Sequence, residues 1–335
     1  MQCSGKRTGV RENCLREKTD MKIETITRND IPAVTDVWNE SFPEAVISPE
    51  SFDRQIYKDF LLDERGMFCA KEGSVVTGFS IATTVHISYA GRSPLPGCIP
   101  VVAVREKHRR KRLGTALLKK SEEYLVKQGV EKMQIGYPTY LRGTVLSILG
   151  IDTRWQGALK FFENQGYAPR EAIDSMSLKI ESRKIYEEVA ENMEKQKGIV
   201  SGSLAPDDTD AFMKFLQNGF PDSWYEQFSH LYSKNLINCE EVLIMKQNGK
   251  IAGFAGPFHV AECGDTCGIG LGIDPELRGK GLGLALLYGI IRMVCQHGGK
   301  KITLFGAVDK INYYGKAGFV PDAVYLFMEK EIRMK

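Results

Sequence analysis

The chain has 335 residues, 43% of them hydrophobic and 26% charged, which is globular composition and excludes disordered, collagenous and coiled-coil readings. Its net charge of +3, from 45 basic and 42 acidic side chains, is too balanced to make nucleic acid or a membrane the main partner. The longest apolar runs fall far short of the roughly 20 residues that a spanning helix needs.

Residues 1–20 are polar and basic with no apolar core, so they read as a flexible tail rather than a secretory leader. The eight cysteines are scattered and show no zinc-site spacing. That pattern fits reduced thiols and a cytoplasmic location.

From Met21 onward the sequence echoes itself. Ser41-Phe42-Pro43-Glu44 returns as Gly219-Phe220-Pro221-Asp222, and Gly78-Phe79 as Gly253-Phe254. Leu113-Gly114 returns as Leu282-Gly283, and Gly166-Tyr167 as Gly318-Phe319. The offsets of 178, 175, 169 and 152 fall in one direction, as they do when the first of two copies carries the longer loops. Two copies of one unit are expected, over 21–180 and 199–335. Between them, 182–197 is charged, free of Gly and Pro, and places Ile185, Val189 and Met193 four residues apart. This predicts a helical linker over 181–198.

Each copy reads as strand, helices, three strands, long helix, strand, helix, strand. Such interleaving gives an α/β (α+β) class with a mixed central sheet flanked by helices. In the second copy Asp207 and Asp208 signal a helix start before Ala211, Phe212 and Phe215. Strands are expected over 241–246, 250–259 and 267–273, then a helix from Leu282 and a short strand over Lys301–Phe305.

The most specific feature is I-D-P-E-L-R-G-K-G-L-G over 273–283. A strand ends, Pro275 stops it, and glycines run into an amphipathic helix. Unpaired N–H groups and the positive dipole end at a helix N-terminus suit a phosphate, and glycines let it approach closely. Arg278 and Lys280 add positive charge. The ATP loop G-x-x-x-x-G-K-[ST] fails because Gly281 follows Lys280, and G-x-G-x-x-G fails because its last glycine falls on Leu284 or Leu286.

With Arg278, Gly281 and Gly283 in place, this segment resembles the R/Q-x-x-G-x-G/A signature of the GNAT family of acyl-CoA-dependent N-acyltransferases. Tyr313-Tyr314-Gly315-Lys316-Ala317-Gly318-Phe319 is similar to a second family element, a Tyr shortly before Gly-Phe. The pair of copies resembles tandem members of the family, in which one copy can be catalytically silent. The resemblance implies acetyl-CoA as co-substrate, no metal, and an acceptor that is a small-molecule or peptide amine. It also implies a cofactor site at Leu271, Gly272, Ile273, Arg278, Gly279, Lys280, Gly281, Leu282 and Gly283, with Tyr314 as the acid that protonates the leaving thiolate. A phenol of pKa near 10 serving a thiolate near 8.5 is uphill by only about 2 kcal/mol.

The family's Asn seven residues before that Tyr is replaced by Ala307, with Asp309 or Asn312 as substitutes. The first copy departs twice: Arg112 stands in place of a glycine, although Arg109 and Gly114 fit, and Phe162 stands in place of Tyr314. Catalysis is therefore expected in the second copy. For the base, Glu241, Asp265, His259 or a water chain all remain open, and Phe220, Pro221, Trp224 and Tyr225 are candidates for an acceptor wall. The rival reading is a non-catalytic acyl-CoA-binding or interaction module.

Overall fold

The computed structural model describes residues 21–57, 62–84, 97–136, 150–233, 235 and 237–332; the tail expected over 1–20 lies outside them. The first copy runs β1 (Met21–Thr25), α1 (Ile31–Ser41), α2 (Pro49–Phe52), β2 (Met67–Glu72), β3 (Val75–Thr84) and β4 (Gly97–Val104). It continues through α3 (Leu113–Lys127), β5 (Lys132–Ile135), β6 (Ile151–Asp152), α4 (Gln156–Asn164) and β7 (Ala168–Lys179). Then comes α5 (Arg183–Lys197), ended by Gly198 at φ +61°, a left-handed cap that glycine adopts without a Cβ clash. The second copy repeats the order: β8 (Ile199–Ser203), α6 (Thr209–Gly219), α7 (Asp222–Ser233), β9 (Leu243–Gln247), β10 (Lys250–Ala255), β11 (Asp265–Cys267) and β12 (Leu271–Ile273). It closes with α8 (Leu282–Gln296), β13 (Lys301–Phe305), α9 (Ile311–Tyr314) and β14 (Val320–Glu331).

The described strands form two sheets. One runs β1-β2-β3-β4-β5-β14-β7-β13-β11, with β6 also on β14, and the other runs β12-β10-β9-β8. Among the described residues only β4–β5 and β11–β13 are parallel pairs, so the large sheet is mixed and flanked by helices. The copies exchange their last strands: β14, from the end of the second, pairs with β5 of the first (Met328 opposite Ile135). Reciprocally, β7 from the end of the first pairs with β13 of the second (Leu178 opposite Ile302). β7 and β14 then lie side by side.

Helix α8 is apolar nearly all round because it is covered on both sides, by the sheet and by α5. Leu286 and Ile291 are fully buried in it, each burial stabilising the fold by about 1.5–3 kcal/mol. A separate aromatic core of Phe212, Phe228 and Phe254 lies between the smaller sheet and α6–α7. No helix among the described residues is long and apolar enough to cross a membrane.

Two expected strands come out shorter. The strand over 250–259 stops at Ala255, because Gly256 takes φ +125° and Pro257 has no N–H for a ladder. The strand over 267–273 divides around Gly268 at φ +68°: β11 stays parallel to β13, whereas β12 turns to pair with β10. A gap therefore opens between β12 and β13. In the first copy β4 behaves similarly without breaking, pairing with β5 only over Gly97–Ile99 while staying on β3 as far as Val104.

Candidate active site

The gap leads directly to the glycine loop. Beyond β12, Asp274 caps a short turn by accepting the Glu276 N–H at 2.9 Å. Arg278 then folds back, its Nε donating to the Ile273 carbonyl at 3.2 Å, which anchors the loop to the strand end. Gly279 and Gly281 both take φ +79°, the left-handed region that any Cβ disfavours, and Gly281 is the N-cap of α8. A Cβ at Gly279 would meet nothing within 4 Å. Arg278, Gly279, Lys280 and Gly281 are exposed, whereas Leu282 is buried as the first anchor of the helix. The result is an open cradle at the positive end of a fifteen-residue helix.

Alternation along β12 decides which amides face the gap. Gly256 N–H donates to Gly270 O and Asp274 N–H to Ala252 O, so residues 270, 272 and 274 turn their polar groups toward β10. The N–H groups of Leu271 and Ile273 are left facing the gap. Gly272 has a packing role: a Cβ there would lie 2.5 Å from the Phe220 ring and 2.6 Å from Phe254. Its amide points away from the gap.

Tyr313 reaches the site from α9, with Tyr314 next to it. Their ring centroids are 4.9 Å apart, and Tyr314 lies 5.9 Å from Phe319. The Tyr313 hydroxyl overlies the start of α8, 3.0 Å from the point a Cβ on Gly283 would occupy. Tyr314 is half-buried, and its hydroxyl forms no hydrogen bond among the described residues. Burial, reinforced by the Asp309 carboxylate, raises its pKa above the ordinary value of 10.0. Burial also raises that of Tyr313, with the neighbouring Tyr314 adding to it.

Asp174, from the exchanged strand β7, was invisible to sequence reasoning. Its Oδ1 accepts the N–H groups of both Ala307 and Val308 at 3.1 Å, and its carbonyl accepts Gly306 N–H at 2.9 Å. It thus holds the turn between β13 and α9 from the other copy. Asn312, expected to substitute for the missing Asn, is exposed on α9. No sequence signal pointed to Asp174, since it stands 133 residues before its partner Ala307.

Of the three base candidates the structure brings two together. Glu241 Oε1 lies 3.2 Å from His259 Nδ1, and Arg54 of the first copy approaches the same nitrogen at 3.3 Å. The Glu241 carbonyl accepts Phe258 N–H at 2.9 Å, so this pair adjoins Gly256 and Gly270 at the point where the strand divides. Asp265 lies apart, on the edge strand opposite Lys301 and before the gap opens; burial raises its pKa. Phe220 and Trp224 stack with rings 5.4 Å apart and 3° from parallel, and both pack on Phe254. Tyr225 joins the edge of that cluster, and Pro221 is exposed beside it.

The first copy has the same skeleton. Arg109 Nε donates to Val104 O at 2.9 Å, as Arg278 does to Ile273. Arg110 and Arg112 occupy the left-handed positions of Gly279 and Gly281, at φ +61° and +63°. Phe161 and Phe162 repeat the 4.9 Å pair of Tyr313 and Tyr314, and Phe162 repeats the 5.9 Å contact, here with Tyr167. With Arg112 in place of a glycine the loop backbone keeps the same conformation, and the side chains over it differ.

A strand that parts from its neighbour, a left-handed loop at a helix N-terminus and an aromatic pair, built twice, define a tandem α/β acyl-transfer architecture. Residues 31–138 and 209–319 each match the model of the Acetyltransferase (GNAT) family, and the chain belongs to that family, which uses acyl-CoA. No curated protein matches the sequence. Among solved structures, it is similar to a GCN5-related N-acetyltransferase from Sphaerobacter thermophilus at 19% identity and TM-score 0.63, covering 94% of this chain and 96% of that one. A tandem GNAT protein from the clavulanic acid biosynthesis pathway aligns at 13% identity and TM-score 0.65, covering 93% and 98%. A fungal multi-domain β-N-acetylglucosaminidase that contains a glucosamine N-acetyltransferase region aligns at 16% identity and TM-score 0.68; 93% of this chain spans 38% of that protein. These likenesses show the fold.

Proposed function

We propose that the second copy, 199–335, transfers an acetyl group from acetyl-CoA to a primary amine by direct attack, and that the first, 21–180, supports it. The observation that carries this is the pairing of an open left-handed glycine cradle, Gly279 and Gly281, with a phenol at Tyr314. The cradle fits a pyrophosphate, whose oxygens would take the amides of Gly279, Lys280, Gly281, Leu282 and Gly283. Bound there, acetyl-CoA supplies the activated thioester.

Leu271 and Ile273 present gap-facing N–H groups to a thioester carbonyl, and such donors favour the charge that develops on its oxygen during attack. In this reading the Glu241–His259 pair, in mutual contact at 3.2 Å, takes a proton from the incoming ammonium. Tyr314 holds its proton at neutral pH and can deliver it to the departing sulfur. The acceptor class, a small-molecule or peptide amine, follows from the family's chemistry and from the sugar-amine activity named for the fungal relative.

Calorimetry with acetyl-CoA tests the site. Gly281→Glu forces a carboxylate and a Cβ into the cradle and is expected to abolish measurable binding, with circular dichroism verifying the fold. Wild-type affinity in a folded variant would place the cofactor elsewhere.

A further inference from the structure

The linker helix belongs to neither copy, yet its last residue reaches the glycine loop. Lys197 Nζ donates to the Lys280 carbonyl at 3.2 Å and lies 3.2 Å from where a Cβ on Gly281 would be. The helix end is fixed from three sides. Gln247 Nε2 donates to the Lys197 carbonyl at 3.0 Å, Gly198 caps the helix, and Glu194 one turn earlier pairs with Arg292 of α8 at 2.6 Å. An ammonium has three donors. One is used on Lys280, and Lys197 forms no ion pair among the described residues and is exposed.

We infer that Lys197 is a ligand for a phosphate group of the CoA moiety held at the glycine loop, so that the linker completes the second copy's cofactor site. This rests on the acyl-CoA reading of that loop. A neutral donor would serve equally well to brace the Lys280 carbonyl. What the position adds is a positive charge beside Arg278 and Lys280, at a helix terminus that already favours anions. Because α5 packs along α8, the charge is carried on a rigid element and little side-chain freedom is lost on binding.

Calorimetry with CoA and with dephospho-CoA, at two salt concentrations, separates the possibilities. Lys197→Gln is expected to weaken CoA binding about tenfold and to flatten its salt dependence, while Lys197→Arg stays near wild type. If the loss persists with dephospho-CoA the ligand is the pyrophosphate, and if it disappears the ligand is the 3′-phosphate; either result supports the proposal. Wild-type affinity and salt dependence in Lys197→Gln would overturn it, as would equal losses in the Gln and Arg variants, since binding would then not depend on the charge. Gly281→Glu is run alongside: if it too binds CoA normally, the glycine-loop reading itself has failed, whereas normal binding by Lys197→Gln alone refutes only the lysine.

Discussion

Tyr314 sits where the first copy has Phe162, in the same ring geometry, so the two copies differ at this point by one hydroxyl. Phe162 is 7% exposed and purely a packing residue, which shows that the scaffold accepts a phenyl ring. Tyr314→Phe should therefore fold normally, keep its acetyl-CoA affinity in calorimetry, and lose about a hundredfold or more in turnover. Unchanged turnover with a true acceptor would leave Tyr314 a packing residue. The pH profile follows from the sign of the shift. The competent acid is the protonated phenol, present below its pKa, and burial moves that pKa up from 10.0. Loss of the Tyr314 proton is thus expected to act on kcat only above about pH 10, and any alkaline limb nearer neutrality should survive in Tyr314→Phe. Asp174 braces the turn before α9, the helix that carries Tyr314. Asp174→Asn keeps an oxygen for both amides and should stay near wild type. Asp174→Ala leaves two N–H groups unpaired, with an expected loss of about 1–3 kcal/mol in denaturant titration and a fall in kcat that the Asn variant restores.

The strand-loop-helix element is built twice with different chemistry, which makes each copy a control for the other. In the second copy glycine occupies both left-handed positions; in the first, Arg110 and Arg112 hold them at a cost of about 1–2 kcal/mol apiece. Replacing Arg112 by Gly removes that strain but frees the unfolded chain by about 0.4–1 kcal/mol, so the net gain in stability should lie between about 0 and 1.6 kcal/mol. Arg112→Val, β-branched at φ +63°, should destabilise by about 1 kcal/mol or more. The helix glycines give the functional comparison. A Cβ at Gly114 would be in ordinary contact, 3.5 Å from Phe161, whereas one at Gly283 would crowd the Tyr313 hydroxyl at 3.0 Å. Gly283→Glu is expected to abolish turnover and Gly114→Glu to retain most of it. The opposite pattern in a steady-state assay would move the active site to the first copy.

At the scale of the whole molecule, the strand exchange makes each copy depend on the other. Among the described residues β14 is the only partner of β6, and it is the bridge between β5 and β7. Removing residues 320–335 deletes sequence from the second copy and should damage the first: amides of Lys132–Ile135 in β5 are expected to lose hydrogen-exchange protection, while those of β9 and β10 in the smaller sheet keep theirs. Protection of β5 retained in the truncated protein would mean that β7 can close the first sheet by itself. The exchange also explains how Asp174 comes to brace the second copy's turn. Elsewhere Ser51 and Glu262 join the copies by a hydrogen bond at 2.5 Å, and Arg54 reaches His259.

Local chemistry wrote much of this protein into its sequence. The repeat, the alternation of strands and helices, and the glycine loop were legible because Gly, Pro and apolar spacing act over a few residues. So was the difference between Tyr314 and Phe162, which is a matter of residue type. Tertiary structure decided what depends on pairing between distant segments. It divided the strand at Gly268, turned Leu271 and Ile273 but not Gly272 toward the gap, and set His259 against Glu241 while leaving Asp265 aside. It also exchanged β7 and β14 and so carried Asp174 into the other copy. Strand order is fixed by which edges meet in the folded sheet, and an antiparallel ladder offers the same backbone groups to either partner. Periodicity within one strand therefore cannot tell its own copy's sheet from its neighbour's, and the choice emerges only when the whole chain packs.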